Sequence, residues 1–180
     1  MSKNENPFAL DVVSIRLVKD AAVLSDKPIR SAEDAMALLG ERMCELDREV
    51  ICVVNMKNDG TPINCHFASM GAINYALAHP RELFKASILS NASQMLLIHN
   101  HVSGSLMPSK DDVMITDRMV NLCDRMGIPL VDHIIVGGNN QEYFSFLNQN
   151  LLPVAKIQYE EQYEKINFSL PVAAERGKAR

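Results

Sequence analysis

Residues 96–112, LLIHNHVSGSLMPSKDD, decide the reading of this chain, because they place two histidines, a serine and an aspartate at the meeting of a strand and a helix. Met95, Leu96, Leu97 and Ile98 form a short apolar run of the kind that makes a buried strand. The polar Asn100 and the Ser103-Gly104 pair are expected to end that strand in a loop. His99 and His101 are two residues apart, so at an extended strand end their rings project from one face. Pro108 and Ser109 then open a helix whose apolar positions Val113, Met114, Met119, Val120, Leu122 and Cys123 recur at roughly helical spacing. The spacing brings a carboxylate at a helix start toward two imidazoles at a strand end.

Two histidines and one carboxylate are a hard-to-intermediate ligand set. Three protein ligands leave a fourth tetrahedral position open, which is the catalytic rather than the structural arrangement for zinc. His99, His101 and Asp112 are therefore the candidate metal ligands, with Zn²⁺ the expected ion. A plainer reading of the same residues stands beside this one. An H-x-H pair arises by chance, and Ser109 with Asp112 fits a capping box, Ser109 at the N-cap and Asp112 at the third helical position.

Working outward, Ser31 and Asp34 start another capped helix, with Ala35, Leu38, Leu39, Met43 and Leu46 at helical spacing and an expected end near Asp47. Residues 50–56 read as a buried strand, 57–60 as a hairpin turn and 63–68 as the returning strand. Pro80 begins a helix through Ser90 that packs Leu83, Phe84, Ile88 and Leu89. Gly127-Ile128-Pro129 breaks the chain before a strand over 130–136, and the turn from Gly137 leads to a last strand over 142–146. Alternating strands and helices predict a three-layer α/β domain, and the hairpins make its sheet mixed rather than wholly parallel.

Residues 1–30 are expected to form a polar amino-terminal segment with an edge strand over 11–19, the place where a homo-oligomer would pair. Residues 153–180 read as a polar tail. The chain has 180 residues, 47% hydrophobic and 22% charged, enough for one domain with a substantial core. It contains no uninterrupted apolar run of membrane-spanning length, and MSKNENPFAL has no signal-peptide pattern, so a cytoplasmic protein is expected. Cys44, Cys52, Cys65 and Cys123 are scattered within apolar surroundings and read as buried reduced thiols. A net charge of −4 and a pI near 5.7 give no electrostatic footprint for nucleic acid.

His99-Asn-His101-Val-Ser103-Gly104, followed by Pro108-Ser109-Lys-Asp-Asp112, resembles the JAMM (MPN-plus, JAB1-type) metallohydrolase signature in the version carried by bacterial RadC proteins. The resemblance extends through His79-Pro80-Arg81-Glu82, Asn91-Ala92 and Asp132-His133-Ile134-Ile135, covering roughly residues 31–152. One position departs from the pattern, Val102 standing where the family usually has proline, which bears on the rigidity of the loop and not on the ligands.

The resemblance implies a JAMM/MPN domain of cytidine-deaminase-like architecture over 31–152 and a zinc-dependent hydrolase acting on a peptide or isopeptide amide in a protein or peptide substrate. JAMM enzymes carry a glutamate base where the first helix passes into the buried strand, and Glu49 holds that position, with Glu45 and Asp47 as neighbouring competitors. In the implied mechanism Glu49 deprotonates metal-bound water and Ser109 donates to the tetrahedral oxyanion. Two other functions are weighed against this one. A non-catalytic MPN interaction domain would generally lack the ligand set retained here. A DNA-repair or mobile-element factor is suggested by the RadC name, but full-length RadC proteins carry a helix-hairpin-helix segment ahead of this domain, and residues 1–30 show no such pattern.

The remaining polar residues read as structural. His79 and Arg81 suit capping and packing at a helix start, and His133 suits a hydrogen-bonded core histidine. Asp132 could orient a site histidine, and His66 has no assigned role. Met95, Met107, Met114 and Met119 lie near the site and could line a pocket, and the core is their expected place.

Overall fold

The computed structural model describes residues 14, 16–20, 22–70, 79–138 and 141–156. The order of elements is α1 (Ala32–Cys44), β1 (Val50–Met56), β2 (Pro62–Met70), α2 (Pro80–Leu89), β3 (Gln94–Asn100), α3 (Lys110–Met126), β4 (Leu130–Val136) and β5 (Tyr143–Ser145). The five strands form one sheet in the order β2-β1-β3-β4-β5. Among the described residues only the β3–β4 pair is parallel; β1–β2, β1–β3 and β4–β5 are antiparallel, which gives the mixed sheet that the hairpins predict.

Strand alternation sends successive side chains to opposite faces, so each face builds its own core. On one face Cys52, Val54, Met56, Leu96, Ile98, Ile134 and Val136 pack against Ala35, Met36, Leu39 and Met43 of α1. On the other, Ile51, Val53, Met95 and Leu97 pack against Leu83 and Phe84 of α2 and Met119, Val120 and Cys123 of α3. The result is three layers, with β3 and β1 central and buried on both sides. His99 lies on the α2/α3 face because it continues the row Met95-Leu97.

Register on that face depends on one irregularity. Met95 pairs with Leu130 but Leu96 pairs with Asp132, leaving Val131 as an extra residue. A bulge of one residue reverses which side chains face which layer. Beyond it Leu97 pairs with His133, which puts the His133 ring on the same face as His99, while Asp132 faces the α1 side.

The helix boundaries and faces differ from expectation in three places. Helix α1 ends at Cys44 rather than near Asp47, because the chain between Asp47 and Val50 turns to enter β1. In α2 the buried stripe is Leu83, Phe84, Ala86 and Ser87, and Ile88 and Leu89 are left on the outside. In α3 the face toward the sheet runs Asp112, Thr116, Met119, Val120, Cys123, so Val113 and Met114 are exposed. Met107 is exposed as well, and only Met95 and Met119 of the four methionines lie in the core.

The strand expected over 11–19 falls partly outside the described residues; Ser14 and residues 16–19 are exposed and carry no strand assignment. The polar tail beyond Lys156 also lies outside them. All four cysteines are free, Cys52 and Cys123 buried and the other two half-buried. Among the described residues, no helix is long and apolar enough to cross a membrane.

Candidate metal centre

Each candidate ligand is placed by a separate local device. His99 is the sixth residue of β3, His101 follows the strand end, and Asp112 is the third residue of α3. Their ligand atoms all lie within 4.8 Å of one another. The turn after β3 returns the chain sharply: the Gly104 amide donates to the His101 carbonyl at 3.0 Å, and Gly104 takes a left-handed φ of 76° that favours glycine. The His101 amide donates to the Val136 carbonyl at 3.0 Å, which ties this turn to β4. These bonds hold the loop where Val102, 56% exposed, replaces the usual proline.

Asp112 is fixed by the capping box. The Asp112 amide donates to Ser109 Oγ at 3.1 Å, and the Ser109 amide donates to Asp112 Oδ2 at 2.7 Å. The sequence allowed either a cap or a ligand set, and one geometry serves both. The carboxylate that closes the cap also meets both histidines, His99 Nδ1 at 2.9 Å from Oδ1 and His101 Nε2 at 3.2 Å from Oδ2.

These contacts dictate the protons. A carboxylate can only accept, so His99 carries its hydrogen on Nδ1 and presents a bare lone pair at Nε2. That Nε2 is buried and has no hydrogen-bond partner among the described residues. A buried unpaired acceptor costs on the order of 1–3 kcal/mol unless something binds it. His101 faces acceptors through both nitrogens, Asp112 on one side and the Ser105 carbonyl on the other at 2.8 Å. Both contacts favour the protonated ring, and the His101 pKa is raised above 6.5, chiefly by the Asp112 hydrogen bond and further by the Ser105 carbonyl and the charges of Asp112 and Glu49. Burial alone would push the Asp112 carboxyl up, but hydrogen bonds from His101, His99 and Ser109 outweigh it and hold the group well below the usual range. A fixed anion beside a bare imidazole nitrogen, with a displaceable proton on the second imidazole, fits a divalent cation.

A network behind Asp112 braces the helix start. Thr116 Oγ1 donates to the Asp112 carbonyl at 2.5 Å, which spends its one hydrogen. His133 Nδ1, 2.6 Å from the same oxygen, is then the donor. Burial pushes the His133 pKa down to about 3, so this ring is neutral. It stacks between His99, at 6.3 Å, and Phe146, at 5.2 Å. His133 is thus a core histidine, as expected. Asp132 does not orient a site histidine ring; its carboxylate accepts from the His133 and Leu147 amides and the Ser145 hydroxyl, fastening β5 and its following turn to β4.

Glu49 stands immediately before β1, half-buried. Of its competitors, Glu45 is exposed and Asp47 pairs with Arg48 at 2.8 Å. His79 caps α2 by accepting from the Arg81 amide, and Arg81 itself is exposed rather than packed. His66 pairs in register with Val53 and lies apart from the cluster. Sequence reasoning missed Thr116 and Asn100. The signal for Thr116 was its i+4 spacing from Asp112.

The proton inventory gives a pH dependence. A ligand histidine must be neutral, so metal uptake displaces the His101 proton, and affinity falls as pH drops toward and below 6.5. In the metal-free protein the sign is opposite. A raised folded-state pKa contributes stability that is present in full below 6.5 and lost as pH rises through the elevated value. Calorimetric titration with zinc in buffers of different ionisation enthalpy is expected to show proton release; a pH-independent affinity with no release would contradict the assignment.

Fold and donor set together define an α/β domain of the JAB/MPN type with a candidate His₂Asp metal centre. The family model for the RadC-like JAB domain matches residues 29–151, and the chain belongs to that family. It is 38% identical over 132 residues to a UPF0758 protein of Moorella thermoacetica, covering 73% of this chain and 57% of that one. It is 40% identical over 109 residues to UPF0758 protein TTE0897 of Caldanaerobacter subterraneus, covering 61% and 47%. A UPF0758 protein of Methanococcoides burtonii is 33% identical over 124 residues, covering 67% and 54%. The chain thus spans about half the length of the curated relatives it matches.

Proposed function

We propose that this domain is a zinc-dependent hydrolase that cleaves a peptide or isopeptide amide bond. The observation that carries the reading is the His99, His101 and Asp112 cluster, with His99 and Asp112 buried and His101 half-buried, beside a half-buried carboxylate, Glu49, whose charge helps to raise the His101 pKa. The three clustered residues hold the metal. A bound divalent zinc supplies a Lewis acid that acidifies water and polarises a carbonyl. Glu49 takes a proton from the attacking water and returns it to the departing amine, so that one water is consumed and a carboxylate and an amine leave.

Ser109 donates to the oxyanion that forms on the carbonyl; its oxygen still accepts the Asp112 amide, so capping and catalysis use different parts of the hydroxyl. The exposed side chains of Val102, Met107, Val113 and Met114, on the loop and helix start that carry the ligands, suit a polypeptide substrate with apolar residues near the scissile bond.

The test is hydrolysis of a panel of peptide and isopeptide amides by zinc-loaded protein. Cleavage is expected to stop on chelation and return with zinc. Cleavage that survives complete metal removal would contradict the reading.

A further inference from the structure

Between the two candidate histidine ligands sits Asn100, the last residue of β3 and only 2% exposed. The sequence suggested a strand-ending polar residue; the structure instead buries it, and a buried amide must find partners. Both partners belong to one short segment. Asn100 Oδ1 accepts from the Val50 amide at 2.8 Å, and Asn100 Nδ2 donates to the Arg48 carbonyl at 2.9 Å. Because one partner can only donate and the other only accept, the orientation of the side-chain amide is fixed.

The residue between those partners is Glu49. The Arg48 carbonyl belongs to the peptide plane on one side of its Cα, and the Val50 amide to the plane on the other. A residue has only two soft backbone torsions, and these set the relation between its flanking peptide planes. Holding both planes therefore fixes φ and ψ of Glu49, and with them the direction of its Cα–Cβ bond. Antiparallel pairing of Ile51 with His99 carries the same alignment outward from the strand. At its end, where the ladder stops, the Asn100 side chain does what a partner strand's backbone would do.

We propose that Asn100 is a positioning residue: its side-chain amide sets the backbone of Glu49 and so aims the base at the metal site formed by the residues on either side of Asn100. The proposal rests on the reading of Glu49 given above. One residue of β3 thereby links the base to both histidines, and a shift of β1 against β3 that would separate them breaks two hydrogen bonds, one buried and one partly buried.

The test uses the full chain loaded with cobalt(II), whose visible spectrum reports the protonation of the site without a substrate. Wild type is expected to bind about one cobalt per chain and to show a pH-dependent spectrum. Glu49→Gln is expected to move the midpoint by on the order of one pH unit. Asn100→Ala should move it in the same direction with cobalt stoichiometry unchanged, and should add little in the Glu49→Gln background, since both changes remove one function. Asn100→Ser, which leaves a smaller void, carries the same comparison if the alanine variant does not fold.

A midpoint that Glu49→Gln moves and the Asn100 variants leave in place overturns the proposal alone, even if those variants are less stable. Full additivity in the double variant overturns it too. Failure to bind cobalt, or a midpoint indifferent to Glu49→Gln, overturns the reading beneath it and the proposal with it.

Discussion

Glu49→Gln is expected to keep its metal and to lose amide hydrolysis by roughly 10²–10⁴-fold, the contribution of a positioned general base. Glutamine preserves the shape of the side chain and a hydrogen-bonding oxygen but cannot hold the proton. Glu49 lies outside the three-residue cluster, so its neutralisation leaves the ligands in place. One secondary effect has a definite sign. Glu49 contributes to the raised His101 pKa, so the metal-free variant should hold its His101 proton less tightly than wild type. Steady-state kinetics on whichever amide substrate wild type cleaves, run beside metal analysis, separates the cases. Unchanged turnover would remove Glu49 from the mechanism, and loss of metal would make it part of the binding site.

Asp112→Ala is expected to be the most damaging change at the metal centre. Removing groups that merely support ligands costs metal affinity about 10–100-fold, and removing the only anionic member of the cluster should exceed that. The substitution also removes the half of the capping box in which Asp112 Oδ2 accepts the Ser109 amide, which is expected to cost on the order of 1 kcal/mol. It strips His101 of its main proton-holding partner, so that ring should revert to a lower pKa. The protein should still fold, because α3 remains anchored by Met119, Val120 and Cys123. Zinc titration followed by thermal unfolding distinguishes the two effects: the variant should be slightly less stable without metal and gain almost nothing from zinc, whereas wild type gains in proportion to its affinity.

The sequence made the centre legible because its determinants are local. Two histidines two apart at a strand end and a capped helix beginning a few residues later leave little freedom in where Asp112 can go. The order of strands and helices was legible for the same reason, each element carrying its own period and punctuation. What stayed hidden depends on register between distant strands. The extra residue at Val131 turns His133 toward His99 and Asp132 away from it, and nothing near Val131 announces it. Asn100 read as the end of a strand because its partners, Arg48 and Val50, lie some fifty residues earlier. The faces of α3 were misjudged because its inward stripe begins with Asp112 and Thr116, polar residues whose burial makes sense only once the site is assembled.

The most direct measurement is metal content by elemental mass spectrometry, on wild type and Asp112→Ala purified without added metal or a chelating tag. About one metal ion per chain in wild type, absent from the variant, is the predicted result. Wild type that carries no metal and takes up none when zinc is offered at neutral pH would contradict the account, and would leave His99, His101 and Asp112 as a capped helix resting on two histidines.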